Sequence, residues 1–184
     1  MRPPCKTAIR AANDSGRRTA KPKYIVIHST ESDNRRGMAE AIARFFARPS
    51  TEASVQLTVD DFDCYRSLPD NVIPWGAPPF NSRGLHVEQC GRAKWSRAEW
   101  MKHRRTLIRT AQYVAQWCVK YDIPPLWLTI ADCKKHKSGI TSHRNVSRAF
   151  GMSSHWDPGD PTDNKHYPYD FFMRQVKEAI DGLH

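Results

Sequence analysis

Long apolar runs are missing from this chain of 184 residues. No stretch reaches the roughly 20 consecutive apolar residues that a bilayer-spanning helix needs, so no such helix is expected. The opening Met1-Arg2-Pro3-Pro4-Cys5-Lys6 is not followed by the apolar core of a secretory signal. The expectation is synthesis in the cytosol without a signal peptide. Cys-x-x-Cys pairs are absent as well. The five cysteines, Cys5, Cys64, Cys90, Cys118 and Cys133, are scattered and odd in number, which argues against a disulfide framework. Cys133-Lys134-Lys135-His136 has the spacing of half a zinc site. No second half follows, so it reads as a solvated lysine-rich turn. There is no internal repeat, zinc finger, RNP-type segment or long basic helix. The formal net charge of +10 implies attraction to polyanions, but nothing singles out nucleic acid as the partner.

What is present is the material of one α/β domain. A chain of this length buries a sizeable core without staples. Residues 1–20 are polar, basic and aperiodic and read as an extension or linker; residues 21–184 read as the domain. Tyr24 to Thr30 is rich in β-branched and aromatic residues, which predicts a strand. Tyr24, Val26 and His28 share one face and Ile25 and Ile27 the other. Both faces are apolar, so the strand is expected at the centre of a sheet with His28 at its C-terminal end. A helix is predicted over 37–48, with Met38, Ala41, Ile42, Phe45 and Phe46 as its apolar stripe and Pro49 as its stop. Strands are predicted over 54–60, 63–68 and 84–90, with a proline-rich loop from Pro74 to Asn81. A long helix is expected over 96–121, opened by the capping pattern Ser96-Arg97-Ala98-Glu99. Leu126 to Ala131 reads as a short strand, and Tyr169 to Asp181 as a last helix. Cys133 to Tyr167 has no sustained period and reads as a long functional loop. The fold class is a mixed central β-sheet flanked by helices.

The residues that carry chemistry are few. His28 ends the first strand, His143 lies in Thr141-Ser142-His143-Arg144-Asn145, and Asp157 lies in Ser154-His155-Trp156-Asp157-Pro158-Gly159. Two imidazoles and a carboxylate fill three corners of a zinc tetrahedron and leave the fourth for water, the pattern of a hydrolytic site. Taken singly, each has a blander reading: His28 a buried core histidine, His143 a surface histidine, Asp157 a turn residue. Glu88 and His86 share one face of the 84–90 strand.

The order of these segments resembles the zinc-dependent N-acetylmuramoyl-L-alanine amidases of type 2, which share their fold with the peptidoglycan recognition proteins. The resemblance runs from about Lys21 to the C-terminus. It is carried by Ile25-Val26-Ile27-His28-Ser29, Ser54-Val55-Gln56-Leu57-Thr58-Val59-Asp60, Ile73-Pro74-Trp75-Gly76-Ala77, Gly84-Leu85-His86-Val87-Glu88 and the His143 and Asp157 segments. The stretch from Ser147 to Gly159 looks most like endolysins of mycobacterial phages. The resemblance implies Zn2+ on His28, His143 and Asp157, with Glu88 as the general base. It implies hydrolysis of the amide between N-acetylmuramic acid and L-alanine of bacterial peptidoglycan, by a monomer that reaches the wall after release from the host. Trp75, Phe80, Asn81, His86, Arg144 and Asn145 are the groove residues it suggests. A non-catalytic peptidoglycan-binding module of the same fold, or a basic nucleic-acid-binding protein, is the alternative.

Three departures from the family pattern stand out. Some phage relatives carry a tyrosine before a histidine where this chain has Val55-Gln56, which places more weight on Glu88. Relatives often show Trp-His where this chain has Trp75-Gly76, and the missing histidine either widens the groove or removes a substrate contact. The family often has a lysine where this chain has His155, which becomes the candidate donor to the oxyanion. Lysine stays charged far above neutrality, whereas histidine titrates near pH ~6.5. The rate should therefore depend on pH through His155. Comparing pH–rate profiles of wild type and His155→Lys checks this, and an unchanged profile with full activity contradicts it.

Overall fold

The computed structural model describes residues 4–163 and 165–183. Residues 1–3, part of the segment read as an extension, and His184 lie outside the described residues. Five strands form one sheet: β1 (Tyr24–Ser29), β2 (Leu57–Val59), β3 (Cys64–Arg66), β4 (Gly84–Gln89) and β5 (Gly139–Ser142), in the order β3-β2-β4-β1-β5. β1 runs parallel to β4 and β5, β4 runs parallel to β2, and only the β2–β3 pair is antiparallel. This is the mixed sheet expected from the sequence. Among the described residues no helix is long and apolar enough to cross a membrane.

The alternation along β1 sorts its residues as expected. Ile25 and Ile27 join Leu57, Val59, Leu85 and Val87 in the main core. Covering that face are α3 (Arg104–Tyr121) and α6 (Tyr169–Asp181), which contribute Leu107, Val114, Phe172 and Val176. Tyr24 and Val26 pack on the opposite face with Phe80, Leu128, Cys133 and Val146. His28 lies on this second face, past the apolar cluster, at the C-terminal end of the strand.

Several expectations are corrected. The helix expected over 96–121 is two helices, α2 (Arg97–Lys102) and α3, broken at His103. The cause is tertiary. Asp61 accepts from the His103 ring at 2.7 Å and from Thr106 N and Oγ1 at 3.0 and 2.9 Å, so it anchors the first turn of α3 from another part of the chain. The strand expected over 126–131 is a single bridge between Trp127 and Ile140 followed by α4 (Ile130–Lys134), which opens on a Thr129–Asp132 capping box. The stretch expected as one loop from Cys133 to Tyr167 contains β5 and α5 (His143–Phe150). Four and eight residues are too few to display a period. In α1 (Met38–Phe46) the buried side is Ala39, Ala43 and Phe46, while Phe45 is 48% exposed.

The segment before Lys21 is laid along the domain. Lys6 bridges to Tyr65 on β3, the edge strand, and Arg17 bridges to Val72. Ala11 is buried with Phe46, Val55, Leu68 and Val72. Cys5 and Cys64 form a disulfide with their Cα atoms 4.7 Å apart, contrary to the expectation from scattered cysteines. Backbone pairing of their neighbours Lys6 and Tyr65 is what brings them together.

Candidate metal centre and cavity

The carboxyl ends of parallel strands are where open α/β sheets gather their ligands, and the site is built there. His28 is the fifth residue of β1 and Glu88 its register partner on β4. His143 follows directly on β5 and opens α5, where the Ser142 hydroxyl caps the helix by accepting from Asn145 N at 3.2 Å. Asp157 sits on the loop after α5. That loop is pinned by Arg144 N donating to Asp157 O at 3.0 Å, by an Arg144–Asp160 ion pair and by Tyr169 Oη donating to Gly159 O at 2.8 Å.

These elements bring the three proposed ligands together. His28 Nδ1 lies 3.1 Å from His143 Nδ1 and 3.5 Å from Asp157 Oδ2, and His143 Nδ1 lies 3.4 Å from Asp157 Oδ1. Donor atoms bound about 2.0–2.1 Å from a tetrahedral ion stand roughly 3.3 Å apart. The two ring nitrogens and the two oxygens of the Asp157 carboxylate, one facing each ring, thus lie at spacings that suit one small cation, and one ligand atom from each residue lies within 4.8 Å of the others. All three side chains are buried, and together they form the group of the described residues able to hold a metal ion. Burial pushes the His28 pKa down to about 4, which keeps its ring neutral, the form that ligates. Burial opposes ionisation of Asp157, but hydrogen bonds from His143, His155 and His28 hold it well below the usual carboxylate range.

The cavity beside this group has a volume of about 700 Å³ and is bordered by Glu88, His155, Trp75 and Asn81 among others. Glu88 Oε2 is shielded from solvent and has no hydrogen-bond partner among the described residues. Burial raises the Glu88 carboxyl well above its ordinary range, and Asp157 and Glu31 add to the effect. The His155 ring stacks on His143 with centroids 3.9 Å apart, and its Nδ1 lies 3.3 Å from Asp157 Oδ1. That hydrogen bond to Asp157 raises the His155 pKa against partial burial.

Four of the suggested groove residues lie elsewhere. Phe80 is fully buried and stacks on Tyr24 at 3.8 Å. His86 is fully buried beneath His28, with its Nδ1 3.0 Å from His28 Nε2. Arg144 turns to Asp160, and Asn145 donates from Nδ2 to Leu128 O at 3.0 Å. The Trp75 indole N–H donates to Ser15 Oγ at 2.7 Å, so the N-terminal segment supports the cavity wall. Asn81 Oδ1 accepts from Gly76 N and Ala77 N. Cys133 is buried against Thr141, while His136 Nδ1 meets the Tyr24 hydroxyl, so these two do not converge on an ion. Also bordering the cavity are Phe45, expected only as part of a helix stripe, and Glu31, which no motif singles out. Glu31 accepts from Ser29 Oγ and Ala93 N, each at 2.8 Å. Its only sequence signal is its place three positions after His28.

The family profile described as N-acetylmuramoyl-L-alanine amidase matches residues 18–160. The chain belongs to this amidase family. N-acetylmuramoyl-L-alanine amidase XlyA of Bacillus subtilis (strain 168) is 33% identical over 93 residues, a stretch covering 48% of this chain and 31% of that relative. Among solved structures, the Staphylococcus aureus hydrolase AmiA in complex with its ligand matches 98% of this chain and 84% of its own, with a TM-score of 0.72 at 20% identity. The catalytic domain of XlyA matches 95% of this chain and 99% of its own, with a TM-score of 0.64 at 19% identity. A mutant endolysin from Bacillus subtilis matches 94% and 98%, with a TM-score of 0.63 at 20% identity. These likenesses establish the amidase fold for this member.

Proposed function

We propose that this amidase hydrolyses the amide between N-acetylmuramic acid and L-alanine in bacterial peptidoglycan, with zinc held by His28, His143 and Asp157. The observation that carries the reading is the convergence of two buried imidazole nitrogens and a buried carboxylate, with one ligand atom from each within 4.8 Å of the others, beside a Glu88 oxygen that is buried and without a hydrogen-bond partner among the described residues. Bound there, zinc supplies a Lewis acid that acidifies water and polarises a carbonyl oxygen.

The chain's own residues supply the rest. Glu88 takes the proton of the attacking water on Oε2 and returns it to the nitrogen of the leaving L-alanine. Burial raises its carboxyl above the ordinary range, which favours its taking up a proton. Asp157 and the stacking on His143 orient the His155 ring, whose Nε2–H donates to the carbonyl oxygen as negative charge develops there. Trp75, with its indole tied to Ser15, and Asn81 border the space for glycan and stem peptide. The biological setting this reading favours is lysis of the endolysin type, by a protein made in the host cytoplasm and acting on the wall after release.

Restoring zinc to chelator-treated protein in the presence of purified peptidoglycan tests the reading. Release of soluble wall fragments is expected. Binding to the wall without release would instead mark a recognition module of the same fold.

A further inference from the structure

The imidazole of His86 belongs neither to the apolar core nor to the cavity wall. It is fully buried, and its Nδ1 lies 3.0 Å from His28 Nε2. A Cβ at Gly76 would stand 2.4 Å from His86 Nδ1, and one at Gly84 would stand 2.6 Å from His86 Nε2 and 2.4 Å from Phe80 O. The ring therefore fills a slot that exists because positions 76 and 84 carry no side chain. The gap where relatives often have Trp-His is not empty space: His86 reaches it from the neighbouring strand. Gln56 fixes the backbone beneath, with Oε1 accepting from His86 N at 2.8 Å and its own N donating to His86 O at 3.1 Å.

The two nitrogens of each ring settle the roles. His28 Nδ1 faces His143 and Asp157, so for a cation to bind there Nδ1 must be the bare nitrogen and Nε2 must carry the proton. An Nε2–H at 3.0 Å then needs an acceptor, and His86 Nδ1 is that acceptor. This leaves the His86 proton on Nε2, a buried atom with no hydrogen-bond partner among the described residues.

Resting on the metal-site reading above, we propose that His86 is a positioning residue. It accepts from His28 Nε2–H and so holds His28 in the tautomer and ring orientation that presents Nδ1 to the metal, and Gly76 and Gly84 are the cradle that admits its ring. Partners of this kind around metal-bound histidines change affinity by roughly 10–100-fold when removed.

Zinc affinity, measured by competition with a chromophoric chelator, tests this without reference to activity. His86→Leu fills the slot without an acceptor and should weaken zinc binding roughly 10–100-fold. His86→Asn puts an amide oxygen near the place of Nδ1 and should recover most of that loss. Equal affinities for wild type and a folded His86→Leu would overturn the proposal while leaving the metal site intact. Failure of wild type to bind zinc would overturn both. Should His86→Leu fail to fold, nitrogen-15 NMR of the imidazoles in zinc-free wild type decides. His28 protonated on Nε2 and bare on Nδ1 supports the proposal, and the opposite tautomer overturns it.

Discussion

Glu88→Gln is expected to lower kcat on purified peptidoglycan by about 10²–10⁴, the usual contribution of a positioned general base, and to change the pH dependence of stability. The amide keeps the shape of the side chain and removes its ability to take a proton. Burial raises the carboxyl in the folded, metal-free protein above its ordinary value of 4.5. A group raised in this way contributes stability that is fully present below its unfolded pKa and is lost as pH rises through its folded pKa. The Tm of metal-free wild type should therefore fall as pH rises from about 4.5 through the raised value. That part of the fall should be absent in Glu88→Gln, which should be the more stable protein on the alkaline side. Steady-state rates and thermal melts of chelator-treated protein across that window check both halves. An unchanged kcat removes Glu88 from the reaction. Parallel melting curves remove the buried carboxylate as the source of the pH dependence.

The second large effect comes from the metal itself. Chelation should abolish wall cleavage and lower Tm, because a ligand that binds only the folded state stabilises it by mass action. With zinc at about 1,000 times its Kd the contribution is about 4.1 kcal/mol. At about 2–4 °C per kcal/mol for a chain of this size, chelation should cost roughly 8–16 °C. His143→Ala removes one of the three buried donors and should lose the zinc-dependent shift along with activity. Melts with zinc and with chelator, on wild type and variant, measure this. A full zinc shift surviving in His143→Ala would place the ion elsewhere in the chain.

The parts of this protein legible in its sequence are those whose signal is local and long enough to repeat. β1 shows its two faces in six residues, and its end position marks His28 as leaving the core. The last helix and its buried Phe172 and Val176 follow from helical spacing alone. What was not legible depends on neighbours distant in the chain. Asp61 splits the long helix from 42 positions away at His103. β5 and α5 are too short to announce themselves, although His143 sits at their junction. The parity of β4 correctly sets His86 on the same face as Glu88, but parity carries no depth. Two residues back along a parallel strand, His86 lies under His28 rather than in the groove. Phe80, Arg144 and Asn145 were drawn toward the groove by adjacency to motif residues, and each finds a buried or ionic partner instead. The disulfide between Cys5 and Cys64 depends on a backbone bridge that no cysteine count reveals.

The identity of the bond cut tests the central claim most directly. Purified peptidoglycan is digested by wild type and by His143→Ala in the presence of zinc, and the soluble products are resolved by mass spectrometry. Intact stem peptides with a free L-alanine N-terminus, released by wild type and absent with the variant, are the predicted result. Cuts within the stem peptide would retain the metal centre and contradict the assigned bond, and the same products from His143→Ala would contradict the metal centre itself.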